Sequence, residues 1–167
     1  MQHLTYLVAS CSDRKCGVIE ERFQLRSLRA EAPARRVEQW WRRLADPTEA
    51  PRYPAVKLYG GEHWTHARRS LATLTERGYA AELWVASAGY GLVPASAWLL
   101  PYSATFASGS PDSVAPDTRS GVSRVEQMQR WWAVLAGYPG PELGAPRSLT
   151  LALRDSRAKL IVVAAPN

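Results

Sequence analysis

The chain has 167 residues, 46% of them apolar, and sets 21 Lys and Arg against 15 Asp and Glu for a net charge of +6. That length favours one domain with an ordinary core, and no apolar run approaches the roughly 18 residues that cross a bilayer. The opening MQHLTYLVAS lacks the basic region and the length of a signal peptide, so the expected setting is cytoplasmic with no membrane partner.

Residues 4–10, LTYLVAS, are a short apolar run closed by a small polar residue, which predicts a buried strand. Residues 18–30 have mixed helical periodicity and are assigned to a helix. In ARRVEQWWRRLA, residues 34–45, Val37, Trp40, Trp41 and Leu44 recur at helical spacing, and Arg35, Arg36, Arg42 and Arg43 cover the rest. Pro47, Pro51 and Pro54 stiffen the connection that follows. VKLYGG, residues 56–61, predicts a short strand or turn. Residues 62–77 predict a helix with Gly78 as its C-cap. AELWVAS, residues 81–87, predicts the second clear strand.

Residues 94–119 are rich in Pro, Ser and Ala and lack periodicity, which predicts a long functional loop acting as a lid. Residues 122–137 predict a helix with Val125, Met128, Trp132 and Leu135 on one face, and residues 148–156 another. KLIVVAA, residues 159–165, predicts the third clear strand. Strands alternating with helices give an α/β class: a single domain, 1–167, with a mostly parallel open sheet flanked by helices. The echo of Arg36-Val37-Glu38-Gln39 in Arg124-Val125-Glu126-Gln127 reflects two helices of similar composition rather than a repeat.

In such a sheet, ligands bind beyond the carboxyl ends of the strands. The loops expected there are Ser10–Lys15, Tyr59–Gly61, Ser87–Gly91 and the end after Ala165. Cys11 is a candidate nucleophile whose pKa a following helix N-terminus, with Arg14 and Lys15, would lower; the plain alternative is a small core residue. Asp13 is a candidate base or a helix N-cap. Arg14 and Lys15 are phosphate ligands or a solvated pair. Ser10, Ser12, Tyr59, Ser87, Gly89 and Gly91 are candidate pocket residues, and Tyr90 either stacks on a flat ring or packs beneath its loop.

Tyr102, Thr105, Phe106 and Asp112 lie in the long loop, Asp112 as a second candidate catalytic carboxylate. The Arg35, Arg36, Arg42 and Arg43 cluster is the candidate phosphate face, since arginine forks onto phosphate and lysine occurs only at Lys15, Lys57 and Lys159. Seven Trp fit either a core or base stacking. The cytoplasmic setting predicts Cys11 and Cys16 as reduced thiols, and neither they nor His63 and His66 have the partners a metal needs, so no metal is expected. No P-loop or dinucleotide fingerprint occurs, and no cofactor is expected.

Four stretches in order carry a resemblance: Ser10-Cys11-Ser12-Asp13-Arg14-Lys15, Leu58-Tyr59 with Trp64, Ser87-Ala88-Gly89-Tyr90-Gly91-Leu92, and Pro101-Tyr102. Together they span about residues 5–106, and the chain resembles the YaaA-like family, closest to its small DpdC-type members associated with DNA modification and phage-related gene clusters. The resemblance implies work on a nucleobase in DNA: conversion of a cyano-deazaguanine to its amide, or hydrolytic base excision. Many relatives carry Lys where this chain has Gly89. The end of the chain just after its third strand suggests a homodimer or a partner protein.

Three functions therefore stand side by side. The first is an enzyme on a flipped DNA base, with Cys11 as nucleophile and Lys15 or Asp13 moving protons, or with Asp13 or Asp112 activating water for excision. The second is a non-catalytic DNA-binding stress or defence module. The third is a free-nucleoside hydrolase or deoxyribosyltransferase.

Overall fold

Short apolar runs build the centre of the molecule. The computed structural model describes residues 4–116, 121–154 and 158–164, the last stretch as backbone. β1 (Leu4–Ser10) lies parallel to β3 (Ala80–Ser87), with Leu4 opposite Ala80 and Ser10 opposite Ala86. β6 (Ala158–Ala164) runs parallel along the other side of β1. β4 (Gly91–Pro94) turns back antiparallel onto β3, giving the order β4-β3-β1-β6. The sheet is thus mixed: Ala88–Tyr90 is long enough for a hairpin but not for a parallel crossover.

β1 is buried on both faces, as its unbroken apolar run requires. Successive side chains alternate: Leu7 and Ala9 enter the main core, while Tyr6 and Val8 join a smaller cluster with Trp84, Leu92 and Ala152. α1 (Pro33–Ala45) opens on proline, which suits a first helical position, and buries Val37, Trp40 and Leu44. α3 (Glu62–Glu76) follows Gly61, whose φ of 91° favours glycine, and buries Trp64 and Ala67. α4 (Arg124–Ala136) is capped by the Ser123 hydroxyl, which accepts the Glu126 N–H at 3.2 Å. α5 (Leu149–Arg154) places Ala152 in the smaller cluster.

Two expectations need correction. Residues 18–30 form two 3-10 turns, Glu21–Phe23 and Leu25–Leu28, rather than a helix. Gln24 between them is extended because the chain bonds Ser103 on both sides: Leu25 N–H to the Ser103 carbonyl, and Ser103 N–H to that of Phe23, each at 2.8 Å. For VKLYGG the turn alternative holds: β2 (Tyr53–Pro54) leads into a single turn, α2 (Ala55–Leu58), that buries Ala55 and Leu58. Finally, the loop from residue 94 is no lid. It contains β5 (Trp98–Leu99), paired with β2, and buries Leu99, Leu100, Tyr102, Ala104, Asp112 and Val114 in the interior. Part of that loop, residues 117–119, and the expected site segment after Ala165 lie outside the described residues.

Candidate active site

Three chain segments meet beyond the ends of β1 and β3. Cys11 continues β1 by one pairing, donating its N–H to the Ala86 carbonyl at 3.0 Å. Residues 14–16 then run against 58–60: Cys16 N–H reaches the Leu58 carbonyl at 2.9 Å, and Gly60 N–H the Arg14 carbonyl at 2.8 Å. Lys15 and Tyr59 form a bridge between them. Ser87, the last residue of β3, is fully buried, and the turn after it folds over the Cys11 sulfur, which accepts the Ala88 N–H at 3.3 Å.

Near the sulfur lies a buried cluster of three hydroxyls. Ser87 Oγ sits 2.7 Å from Tyr102 Oη and accepts from Tyr59 Oη at 3.2 Å; the two phenols are 2.9 Å apart. Ser87 Oγ also accepts the Tyr90 N–H at 2.9 Å. Lys15 closes the group: its Nζ lies 4.4 Å from the Tyr102 ring centre and donates to the Ser12 carbonyl at 2.7 Å. A charge above an aromatic face is favourable, and more so away from water.

The electrostatics follow from burial. Desolvation raises the Cys11 pKa, against the opposing pull of Lys15, the Ala88 N–H and a Tyr102 hydrogen bond. Desolvation likewise lowers that of Lys15, although Cys11, Asp13 and Asp112 pull it back. Burial also drives the Tyr59 and Tyr102 phenols upward, so both stay protonated as hydrogen-bond donors. The expected lowering of the Cys11 pKa by a helix does not occur, since the first turn of any kind after it starts at Glu21. Asp13 has no helix to cap and is exposed.

Indole and guanidinium donors fix the Ser87–Gly91 turn from outside. Trp131 Nε1 donates to the Ala88 carbonyl at 2.8 Å, and Trp40 Nε1 to the Gly89 carbonyl at 2.9 Å. Arg147 donates to the carbonyls of Tyr90 at 2.7 Å and Leu92 at 2.9 Å. Tyr90 does not stack outward; it is 5% exposed and its hydroxyl accepts the Leu100 N–H at 3.0 Å. A lysine at position 89 has no room, because a Cβ there would lie 2.5 Å from the Tyr102 ring. Gly91 takes a φ of 75°, which its place at the hairpin requires.

Other predicted residues serve elsewhere. Asp112 is 2% exposed and its carboxylate is occupied: Oδ1 accepts the Arg26 N–H at 2.7 Å, and Oδ2 accepts Arg26 Nε at 3.0 Å and Ser103 Oγ at 2.8 Å. Thr105 organises that loop, bonding Asp112 and Val114 through its backbone. Phe106 packs against Trp132, with ring centres 6.1 Å apart.

The α1 arginines do not form one phosphate face. Arg35 pairs with Glu31, Arg42 with Glu38, and Arg43 bonds the Arg22 carbonyl and the Ser27 hydroxyl. Arg36 is buried. Arg14, beside Gly60, is exposed, and so are Arg68 and Arg69 on α3; none of the three forms an ion pair among the described residues.

Sequence patterns missed His63, whose Nε2 lies 3.2 Å from Ser10 Oγ, and the supporting roles of Trp40, Trp131 and Arg147. His63 and His66 share a helix, but only the first reaches a site residue; His66 lies 3.7 Å from Glu62. On the outer side of the Gly89–Tyr90 turn is a cleft of about 410 Å³ lined by Trp41, Arg52, Trp98 and Arg147, with Trp98 60% exposed. Among the described residues, no group of three or more His, Cys, Asp or Glu is placed to hold a metal ion. Comparison with protein-family models, curated proteins and solved structures finds no match for this chain.

Proposed function

We propose that this chain is an enzyme that acts on a modified nucleobase in DNA, using the Cys11 thiol as nucleophile and Lys15 as the group that moves the proton. The observation that carries this reading is the Cys11 sulfur held by the Ala88 N–H beside a desolvated Lys15. The chemistry that suits a half-buried thiol beside an amine whose pKa burial lowers is addition to an electrophilic carbon, such as the nitrile of a cyano-deazaguanine. The site lies at the carboxyl ends of the parallel strands β1 and β3, where open α/β sheets bind ligands.

Lys15 Nζ accepts the thiol proton as sulfur bonds the nitrile carbon, and returns it to the nitrile nitrogen, giving a thioimidate. Water then adds to that carbon, the C–S bond breaks, and sulfur regains a proton. The net change is one water added, and the nitrile becomes an amide. Excision has weaker support, because Asp112 is occupied by Arg26 and Ser103 and Asp13 is exposed. The exposed Arg14, Arg68 and Arg69, which form no ion pair among the described residues, are the proposed phosphate contacts in place of α1. Trp98, exposed in its cleft near Arg52, offers a stacking surface for an unpaired strand.

The test is incubation with an oligonucleotide containing cyano-deazaguanine, followed by mass spectrometry of free bases and digested nucleosides. A nucleoside heavier by one water, lost in Cys11→Ala, is the expected result. Release of a free base that persists in Cys11→Ala would replace this reading with a glycosidase. DNA binding without any product would leave the binding module.

A further inference from the structure

Trp98 is a tryptophan that the fold holds in solvent, 60% exposed. The chain around it is fixed. Its neighbours Ala97 and Leu99 are buried, the Ala97 carbonyl accepts the Ala55 N–H at 2.8 Å, and Trp98 itself stands opposite Pro54 in the β2–β5 pair. An apolar ring left in water forgoes burial energy, and a ring already set in place loses little freedom when a ligand covers it.

The cleft of about 410 Å³ beside Trp98 is within the range of small-ligand sites, about 300–1,000 Å³. Its charged lining is Arg52 and Arg147, and no carboxylate lines it among the described residues. Glu142, next in the chain to the lining Pro141, is turned to the Ser96 hydroxyl at 3.5 Å. Arg147 is taken up by the carbonyls of Tyr90 and Leu92, but no acid offsets its charge among the described residues. Arg52, half-buried just before β2, has neither an ion pair nor a side-chain hydrogen bond among the described residues. Its guanidinium is free to fork onto a phosphate.

We propose that this cleft holds one unpaired nucleotide of the DNA strand that reaches Cys11, with its base on the Trp98 face and its phosphate on Arg52. The Ser87–Gly91 turn joins the two places: the Ala88 N–H holds the Cys11 sulfur, while Gly89 and Tyr90 line the cleft. Bases in a duplex are already stacked on each other, so only an unpaired base offers its face to the indole. The inference rests on the reading of DNA as the partner, not on the reaction at Cys11.

The test compares two fluorescein-labelled strands on the full chain by anisotropy: oligothymidylate, and an abasic strand of the same length that keeps the phosphates and lacks the bases. Oligothymidylate should bind at least about fivefold tighter, the lower reach of one stacked base. Trp98→Ala should erase that preference, and Trp98→Phe, which restores a ring, should keep it. Arg52→Gln should flatten the slope of log Kd against log salt concentration by about 0.7, the share of one phosphate on a single strand, and Arg52→Lys should retain the slope. Equal affinity for the two strands in the unmodified chain would overturn the proposal, as would a preference that survives Trp98→Ala. If Trp98→Ala does not fold, an unchanged salt slope in Arg52→Gln has the same force. The two readings part in the same experiments. A base preference without any hydration product removes the Cys11 chemistry and keeps this cleft. Hydration product formed at an unchanged KM by Trp98→Ala removes the cleft and keeps the chemistry.

Discussion

Replacing Gly89 with alanine drives a methyl group into the Tyr102 ring. A Cβ at Gly89 would lie 2.5 Å from Tyr102 Cε2 and 2.7 Å from Cδ2. Carbon atoms in contact rest roughly 3.5–4.0 Å apart, so ring or turn must shift by about 1 Å. Neither is free to do so: Tyr102 is fully buried with its hydroxyl on Ser87 and Tyr59, and the Gly89 carbonyl is held by Trp40. Overpacking of this kind costs about 1–3 kcal/mol. For a domain of this size that lowers Tm by roughly 2–12 °C. A displacement of about 1 Å among groups that position a reaction also costs up to about 100-fold in turnover. Thermal melts of Gly89→Ala, alone and in the Tyr102→Leu background, check the cause. The penalty should shrink once the ring is gone, a coupling of about 0.5–3 kcal/mol between touching residues. A melt within about 1 °C of the parent would refute the reasoning, as would a penalty unchanged by Tyr102→Leu.

Further outcomes follow from the same contacts. Trp131→Phe and Trp40→Phe each leave a buried carbonyl of the Ser87–Gly91 turn without its donor, and urea melts should show a loss of roughly 1–3 kcal/mol for each. Burial works to raise the Asp112 pKa, but the bonds from Arg26 and Ser103 outweigh it and hold the carboxyl below its usual range. A carboxyl depressed in this way stabilises the fold above its ordinary titration range, and that stability is lost as pH falls through the depressed value. Asp112→Asn should therefore lower Tm at pH 7 and flatten the fall in Tm below about pH 4. In the proposed hydration, kcat/KM should rise as Lys15 loses its proton, below the ordinary lysine range, and fall as Cys11 titrates above the ordinary thiol range. Both limbs belong to the coupled pair, and Lys15→Met should remove the rising one with a loss of about 10²–10⁴ in rate.

Much of the framework was legible in residue order. LTYLVAS and AELWVAS announce their strands because an apolar run that short has only a sheet in which to bury both faces. α1 and α4 declare themselves through helical spacing, although α4 buries Trp131 and Leu135 and leaves Val125, placed on its apolar face, exposed. The small polar ends Ser10-Cys11-Ser12 and Ser87-Ala88-Gly89 mark chain that no longer packs as strand, and the cluster around Cys11 forms there.

What local pattern did not carry is which side chain each polar group meets. Gln24 is extended because Ser103, far along the chain, offers carbonyl and N–H to its neighbours. Its glycine neighbours leave Tyr90 free either to stack outward or to pack beneath its loop, and the Leu100 N–H on its hydroxyl selects the second. Arg36 sits in an arginine-rich helix that reads as a solvated face, but the phase of α1 against Trp131 turns that one residue inward. Asp112 looks like a spare carboxylate until Arg26 and Ser103 close on it. Periodicity and composition act over one turn or one strand, so they determined the main strands and helices by themselves but not every face: Val125, on the expected apolar face of α4, is exposed and Arg36 is buried. Burial, charge state and hydrogen-bond partner depend on what arrives from tens of residues away, and only the tertiary structure decided those.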